Sequence, residues 1–168
     1  MTTSDYYKFK EALGFSESGG NYNKDYGNYW GKYQFGEARR KDIESILGLK
    51  HLTRSEFTPE MQEKFFEAHV KDLENKIISS GLDKYIGSKV AGKSNNLTTR
   101  INLFGLIAGA HLGGFNGLKR ALETNFVYDP ADTLGTHISD YVAKFSWLME
   151  KKITDFWKLR QLLYSFWE

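Results

Sequence analysis

Tyr6, Phe9 and Leu13 recur at the spacing of one helix face, and Thr3, Ser4 and Asp5 before them are capping residues. This spacing predicts a first helix that runs out at Gly19-Gly20, with Glu17 in or just after its last turn. The pattern then changes. From Asn21 to Gly36 the chain carries Gly27, Gly31 and Gly36 among aromatic residues, and it reads as a short twisted hairpin or irregular loop. Helical periodicity returns from Glu37 to Leu47 and stops at Gly48. Thr58-Pro59-Glu60 starts a further helix, with proline at its first position. Its apolar stripe is Met61, Phe65, Leu73 and Ile77, widened by Phe66 and Val70, and His69 falls on it as a core or boundary residue. Ser79-Ser80-Gly81 closes that helix.

Residues Gly87 to Asn96 form the most loop-like stretch. Thr98 or Thr99 then caps a helix that is apolar almost all round from Ile101 to Leu112, the pattern of a helix buried inside its own domain. Gly105 and Gly109 would let neighbouring backbone approach it, and Gly113-Gly114 ends it. A short helix from Gly117 to Thr124, a turn at Asp129-Pro130 and a helix opened by Thr136 follow. The tail from Trp147 to Glu168 reads as one long helix. Its broad stripe contains Ile153, Phe156, Trp157, Leu163, Tyr164 and Trp167, widened by Leu159, Leu162 and Phe166. Such a face packs on the rest of the chain or docks on a carrier or membrane, where Lys151, Lys152, Lys158 and Arg160 would suit anionic lipid. No internal repeat is present. The fold class is therefore mainly α with one small β-hairpin. Residues 1–146 form the main domain, and 147–168 a C-terminal aromatic helix packed on it.

A length of 168 residues is that of one ordinary domain. Lys and Arg number 23 against 21 Asp and Glu, a surplus of +2 that is too small to neutralise the phosphates of a nucleic acid. No cysteine is present, which excludes disulfides, zinc–thiolate sites and thiol catalysis. The start, MTTSDYYKFKEALG, lacks the basic and apolar regions of a secretory signal. The run from Leu103 to Phe115 is shorter than the ~20 residues that span a bilayer, and it contains His111. No transmembrane segment is expected. Aromatic residues reach 15%, enough to line a sugar-binding groove as well as a core.

The sharpest chemical feature is Glu17-Ser18-Gly19-Gly20 followed by Gly31-Lys32-Tyr33-Gln34-Phe35-Gly36. A carboxyl at a helix end facing a glycine-rich aromatic hairpin suits a general acid, because apolar surroundings favour the protonated form. Taken alone, such a glutamate is by default a solvated helix-terminal group. Asp25, eight residues on, is a candidate second carboxyl or a turn residue. Glu11 should be solvated, and Glu37 is accounted for by opening a helix. The histidines at 51, 69, 111 and 137 show no metal-ligand spacing. His111, next to Leu112-Gly113-Gly114, either reaches a groove or bonds a neighbouring loop.

The run EALGFSESGGNYNKDYGNYWGKYQFGEA resembles the start of lysozyme-like peptidoglycan glycosidases, including lytic transglycosylases and phage-type lysins. The resemblance lies in Glu17-Ser18 followed by Gly31-Lys32-Tyr33-Gln34. Ala110-His111-Leu112-Gly113-Gly114 and Gly135-Thr136-His137-Ile138-Ser139-Asp140-Tyr141 are similar to segments of the phage and secretion-effector branch. Together they cover roughly residues 8 to 145; the tail beyond Phe145 is outside the resemblance.

It implies a lysozyme-like α+β fold and cleavage of the β-1,4 bond between N-acetylmuramic acid and N-acetylglucosamine, with Glu17 as acid. Ser18, Gly31, Tyr33, Gln34 and His111 would hold substrate or orient Glu17. Hydrolysis would use Asp25 to place water, giving a muramidase. A lytic transglycosylase would use one carboxyl and close a 1,6-anhydro ring. No metal or organic cofactor is implied. The partner is the peptidoglycan glycan strand, with a delivery apparatus or immunity protein as further candidates. The chain would be made in the cytoplasm and reach the wall through a phage or contact-dependent secretion system. Readings from another class are a non-catalytic wall-binding component and a membrane- or partner-docking protein.

Overall fold

Thr2 Oγ1 accepts a hydrogen bond from the Asp5 amide at 3.1 Å, so the first helix, α1 (Thr3–Ser18), is capped one residue earlier than the sequence suggests. In this computed structural model, which describes residues 1–151 and 156–165, α1 ends at Gly19. There φ is +70°, a left-handed conformation that glycine adopts without strain, so Glu17 lies in the helix's last turn.

The chain divides into two compact units, Met1–Lys71 with Ile153–Glu168, and Asp72–Lys152. In the first, α1 is followed by an antiparallel hairpin of β1 (Asp25–Tyr26) and β2 (Tyr29–Trp30), joined by the two-residue turn Gly27-Asn28. Next come α2 (Glu37–Leu47) and the start of α3 (Pro59–Ser79), both with the bounds that their caps and proline predict. Phe9, Leu13, Tyr33, Phe35, Phe65 and Phe66 are fully or almost fully buried here. His69 joins this core as expected: it is 3% exposed, and its Nδ1 accepts a hydrogen bond from Arg39 Nε at 2.9 Å.

The second unit holds the end of α3, a short 3-10 turn (Leu82–Tyr85), β3 (Lys89–Ala91) paired with β4 (Thr98–Arg100), α4 (Leu103–Glu123) and α5 (Ile138–Glu150). The hairpin β3–β4 corrects the expectation of a loop over 87–96 and of a single β element. Only Val90 of β3 is buried, so these residues show too little alternation to announce a strand. Thr98 and Thr99 are in β4, and α4 is capped instead by Asn102, whose Oδ1 accepts from the Gly105 amide at 3.1 Å. The burial of α4 is as expected. A Cβ on Gly105 would lie 1.9 Å from Ser146 Oγ, and one on Gly109 would lie 2.6 Å from Val142 Cγ2. Gly114 (φ +76°, ψ 161°) breaks α4 where the pattern stops, and the part after it includes the short helix expected from Gly117.

The tail is not one helix. Trp147 and Leu148 complete α5, which ends at Glu150, and α6 (Phe156–Tyr164) is a separate segment of the first unit. Leu159 and Leu163 of α6 are buried, and Tyr164 meets Phe15 of α1 edge-on with ring centres 4.9 Å apart. Lys152, Ile153, Phe166 and Trp167, and the side chains of Phe156 and Trp157, lie outside the described residues.

Candidate functional site

Ser18 fastens the end of α1 to the segment after the hairpin. Its hydroxyl lies 2.7 Å from the Lys32 carbonyl and 3.1 Å from that of Gly14, and it accepts from the Asn21 amide at 2.9 Å. Ser18 is 6% exposed with these bonds made, so it acts on backbone rather than on a ligand. Glu17, the half-buried residue before it, stands in the same last turn of α1.

That segment is secured from the other side by Gln62 on α3, which is 1% exposed. Gln62 Oε1 accepts from the Lys32 amide at 2.9 Å, and Nε2 donates to the carbonyls of Tyr22 and Phe57 at 3.0 Å each. Gly31 makes this approach possible. A Cβ there would stand 2.2 Å from Gln62 Oε1, and the residue's φ is +79°. Gln34 also has positive φ, +53°, and its Nε2 donates to the carbonyls of Lys24 and Gly31 at 2.9 Å each. The Gln34 amide therefore closes the loop on itself.

Tyr33 departs from its expected place. It is fully buried, stacked on Phe66 with ring centres 4.0 Å apart, so it is a core residue and not a groove wall. Its hydroxyl donates to Glu63, whose Oε1 and Oε2 both lie at 2.9 Å. Burial, then the Glu63 charge, push the Tyr33 phenol far above its ordinary value. Glu63 gathers further donors: Tyr22 hydroxyl at 2.6 Å, Lys10 Nζ at 3.0 Å and Lys32 Nζ at 3.3 Å. Burial favours protonation of Glu63, but the hydrogen bonds from Tyr22 and Lys10 and the Lys32 charge prevail and hold it below the usual carboxylate range. Glu11, expected to be solvated, instead pairs with Lys32 Nζ at 2.8 Å. Burial opposes the Lys32 charge, yet the Glu11 hydrogen bond and the charges of Glu11 and Glu63 raise it overall.

Asp25 is engaged as well. Its Oδ1 and Oδ2 lie 3.0 and 2.8 Å from Arg54 Nε, and Oδ1 accepts from the Gly31 amide at 3.3 Å. Thus the first unit brings together Glu17, Ser18, Asp25, Gly31, Tyr33 and Gln34, whereas His111 belongs to the second unit, half-buried on α4. Glu37 pairs with Lys41 in the first turn of α2, as a helix-opening acid would. The Gly135–Tyr141 stretch has a structural explanation: Asp140 Oδ1 accepts from the amides of Ser94 and Asn95, and Ser139 Oγ donates to Asp129 at 2.6 Å.

Gln62, Glu63 and Arg54 escaped the sequence reading. The one available signal was Gln62 itself, a polar residue three and four positions before Phe65 and Phe66 on a buried stripe. Among the described residues, no cluster of three or more His, Asp or Glu could hold a metal ion, and no helix is long and apolar enough to cross a membrane. No protein-family model, no curated protein and no solved structure matches the chain.

Proposed function

We propose that this chain is a peptidoglycan glycosidase that cleaves the β-1,4 bond between N-acetylmuramic acid and N-acetylglucosamine, with Glu17 as its acid. The observation that carries this reading is the Ser18–Lys32 bond of 2.7 Å, which joins the Glu17-Ser18 helix end to the Gly31–Gln34 segment. A proton donor gains most when its geometry is set before the substrate arrives. Glu17 donates its proton to the glycosidic oxygen as the bond to the sugar's anomeric carbon breaks. The oxocarbenium-like centre is then captured by water or by the sugar's own 6-hydroxyl.

The two routes differ in what they ask of Asp25. Hydrolysis would have its partly exposed carboxylate, held by Arg54 and the Gly31 amide, place water through a remaining lone pair, whereas closure of a 1,6-anhydro ring needs only one carboxyl. Action at the wall by way of a phage or secretion apparatus belongs to the same proposal.

Turbidity clearing of purified peptidoglycan by the wild type and by a folded Glu17→Gln protein tests the reading. The variant should lose at least ~10²-fold of activity. An inactive wild type, or a folded variant with near-wild-type clearing, would overturn it. Mass analysis of the products then separates reducing muropeptides from 1,6-anhydro ones.

A further inference from the structure

The two faces of the first hairpin are occupied differently. Asp25 opposes Trp30 and Tyr26 opposes Tyr29, and residues directly opposite on paired strands project to the same side. Asp25 and Trp30 have protein partners: Arg54 binds the partly exposed aspartate, Arg40 lies 3.5 Å over the indole, and Phe57 packs 6.1 Å from it. Alternation along each strand turns Tyr26 and Tyr29 the other way. They are 61% and 53% exposed. Their Cα atoms flank a two-residue turn at the ~5 Å spacing of opposed strand positions, which sets the two side chains next to each other.

The support under this pair is firm. The Tyr29 ring lies against Gly36, where a Cβ would meet Tyr29 Cε1 at 3.1 Å. Trp30 bridges to Phe35 across the following turn, and the Gln34 amide closes that turn onto Lys24 and Gly31. The same stretch of chain continues into Lys32, to which Ser18 is bonded beside Glu17. Tyr29 thus lies three residues before Lys32 in this braced segment, and binding there would cost little ordering of the backbone.

Tyrosine combines a flat apolar face with a polar tip. A pyranose ring offers the matching surfaces, a face of C–H groups and a rim of hydroxyls. We propose that Tyr26 and Tyr29 form a stacking platform for pyranose rings of a glycan strand, gripping the sugar chain at a distance from the bond that Glu17 acts on. The identity of the glycan rests on the glycosidase reading; the platform itself is tested by binding.

Glu17→Gln protein, used to prevent turnover, is titrated with chitotetraose and pelleted with purified peptidoglycan. Replacing both tyrosines, Tyr26→Ala with Tyr29→Ala, should weaken binding about tenfold and leave the thermal midpoint in place. In the wild-type background the same pair should raise KM by a similar factor while kcat holds. Tyr26→Phe with Tyr29→Phe should restore most of the binding, because the ring faces remain. If the alanine pair binds and turns over glycan like the wild type, the platform fails and the glycosidase reading stands. If the wild type binds through the tyrosines yet cleaves nothing, the glycosidase reading fails and the platform stands. Absence of glycan binding in every form overturns both.

Discussion

Replacing Gln62 with alanine would remove the brace behind the Gly31–Gln34 segment, and the structure indicates how much that costs. Three backbone groups bond to Gln62, but they do not lose equally. The Tyr22 and Phe57 carbonyls also accept from Arg54, at 3.0 and 3.3 Å, and keep that partner. The Lys32 amide bonds to Gln62 Oε1, and Lys32 is only 3% exposed, so it would be left buried without an acceptor. One stranded amide costs ~1–3 kcal/mol, and two weakened carbonyls and the lost side-chain volume bring the total to roughly 2–4 kcal/mol. For a chain of this size that lowers the thermal midpoint by about 5–15 °C. A double-mutant cycle with Gly31→Ala makes the test specific. Alone, Gly31→Ala carries the ~1–2 kcal/mol cost of a left-handed residue, plus the clash of its Cβ with Gln62 Oε1 at 2.2 Å. With Gln62→Ala present the clash is gone. The double variant, measured by urea unfolding followed by circular dichroism, should therefore be less destabilised than the sum of the singles by ~1–3 kcal/mol. Agreement of the sum and the double to within ~0.5 kcal/mol would refute the brace.

Three further outcomes follow from the same geometry. Asp25→Asn should cost no more than ~1 kcal/mol, because the Arg54 pair is about one-third exposed on each side. If the single-acid route operates, clearing by that variant changes little and the products stay 1,6-anhydro; a deep loss would restore Asp25 as the group that places water. Tyr33→Ala should lower stability by ~3–5 kcal/mol in thermal unfolding, since a fully buried ring stacked on Phe66 is deleted; an unchanged midpoint would return Tyr33 to the surface. Glu63, whose folded carboxyl sits below the usual range, stabilises the fold above its unfolded value of about 4.3, and that contribution is lost as pH falls through the folded value. The advantage of wild type over Glu63→Gln should thus shrink below about pH 4.3, and parallel midpoint-against-pH curves for the two proteins would contradict the assignment.

Local chemistry was enough to locate most helices. The glycines at 19 and 48, the proline at 59 and the apolar stripes mark the ends of α1, α2 and α3 because capping and periodicity act within a turn or two of the chain. The burial of α4 was legible for the same reason, its residues being apolar on every side. Glu17-Ser18 and Gly31–Gln34 stood out as motifs, but the bond between them joins residues fourteen apart and had no local trace. Facing was the harder question. In a turn or a strand of two or three residues, inside and outside depend on what packs against them, so Tyr33 read as a groove wall and β3–β4 as a loop. The charge partners were invisible for a related reason. Lys32 with Glu11 and Glu63, and Asp25 with Arg54, are pairings across twenty or more positions that only the folded chain brings together. The sequence by itself determined where most of the helical backbone hydrogen bonds run, through propensities that each residue carries with it. The tertiary structure decided which side chains are buried, paired or left facing water, because burial and charge pairing depend on neighbours distant in sequence.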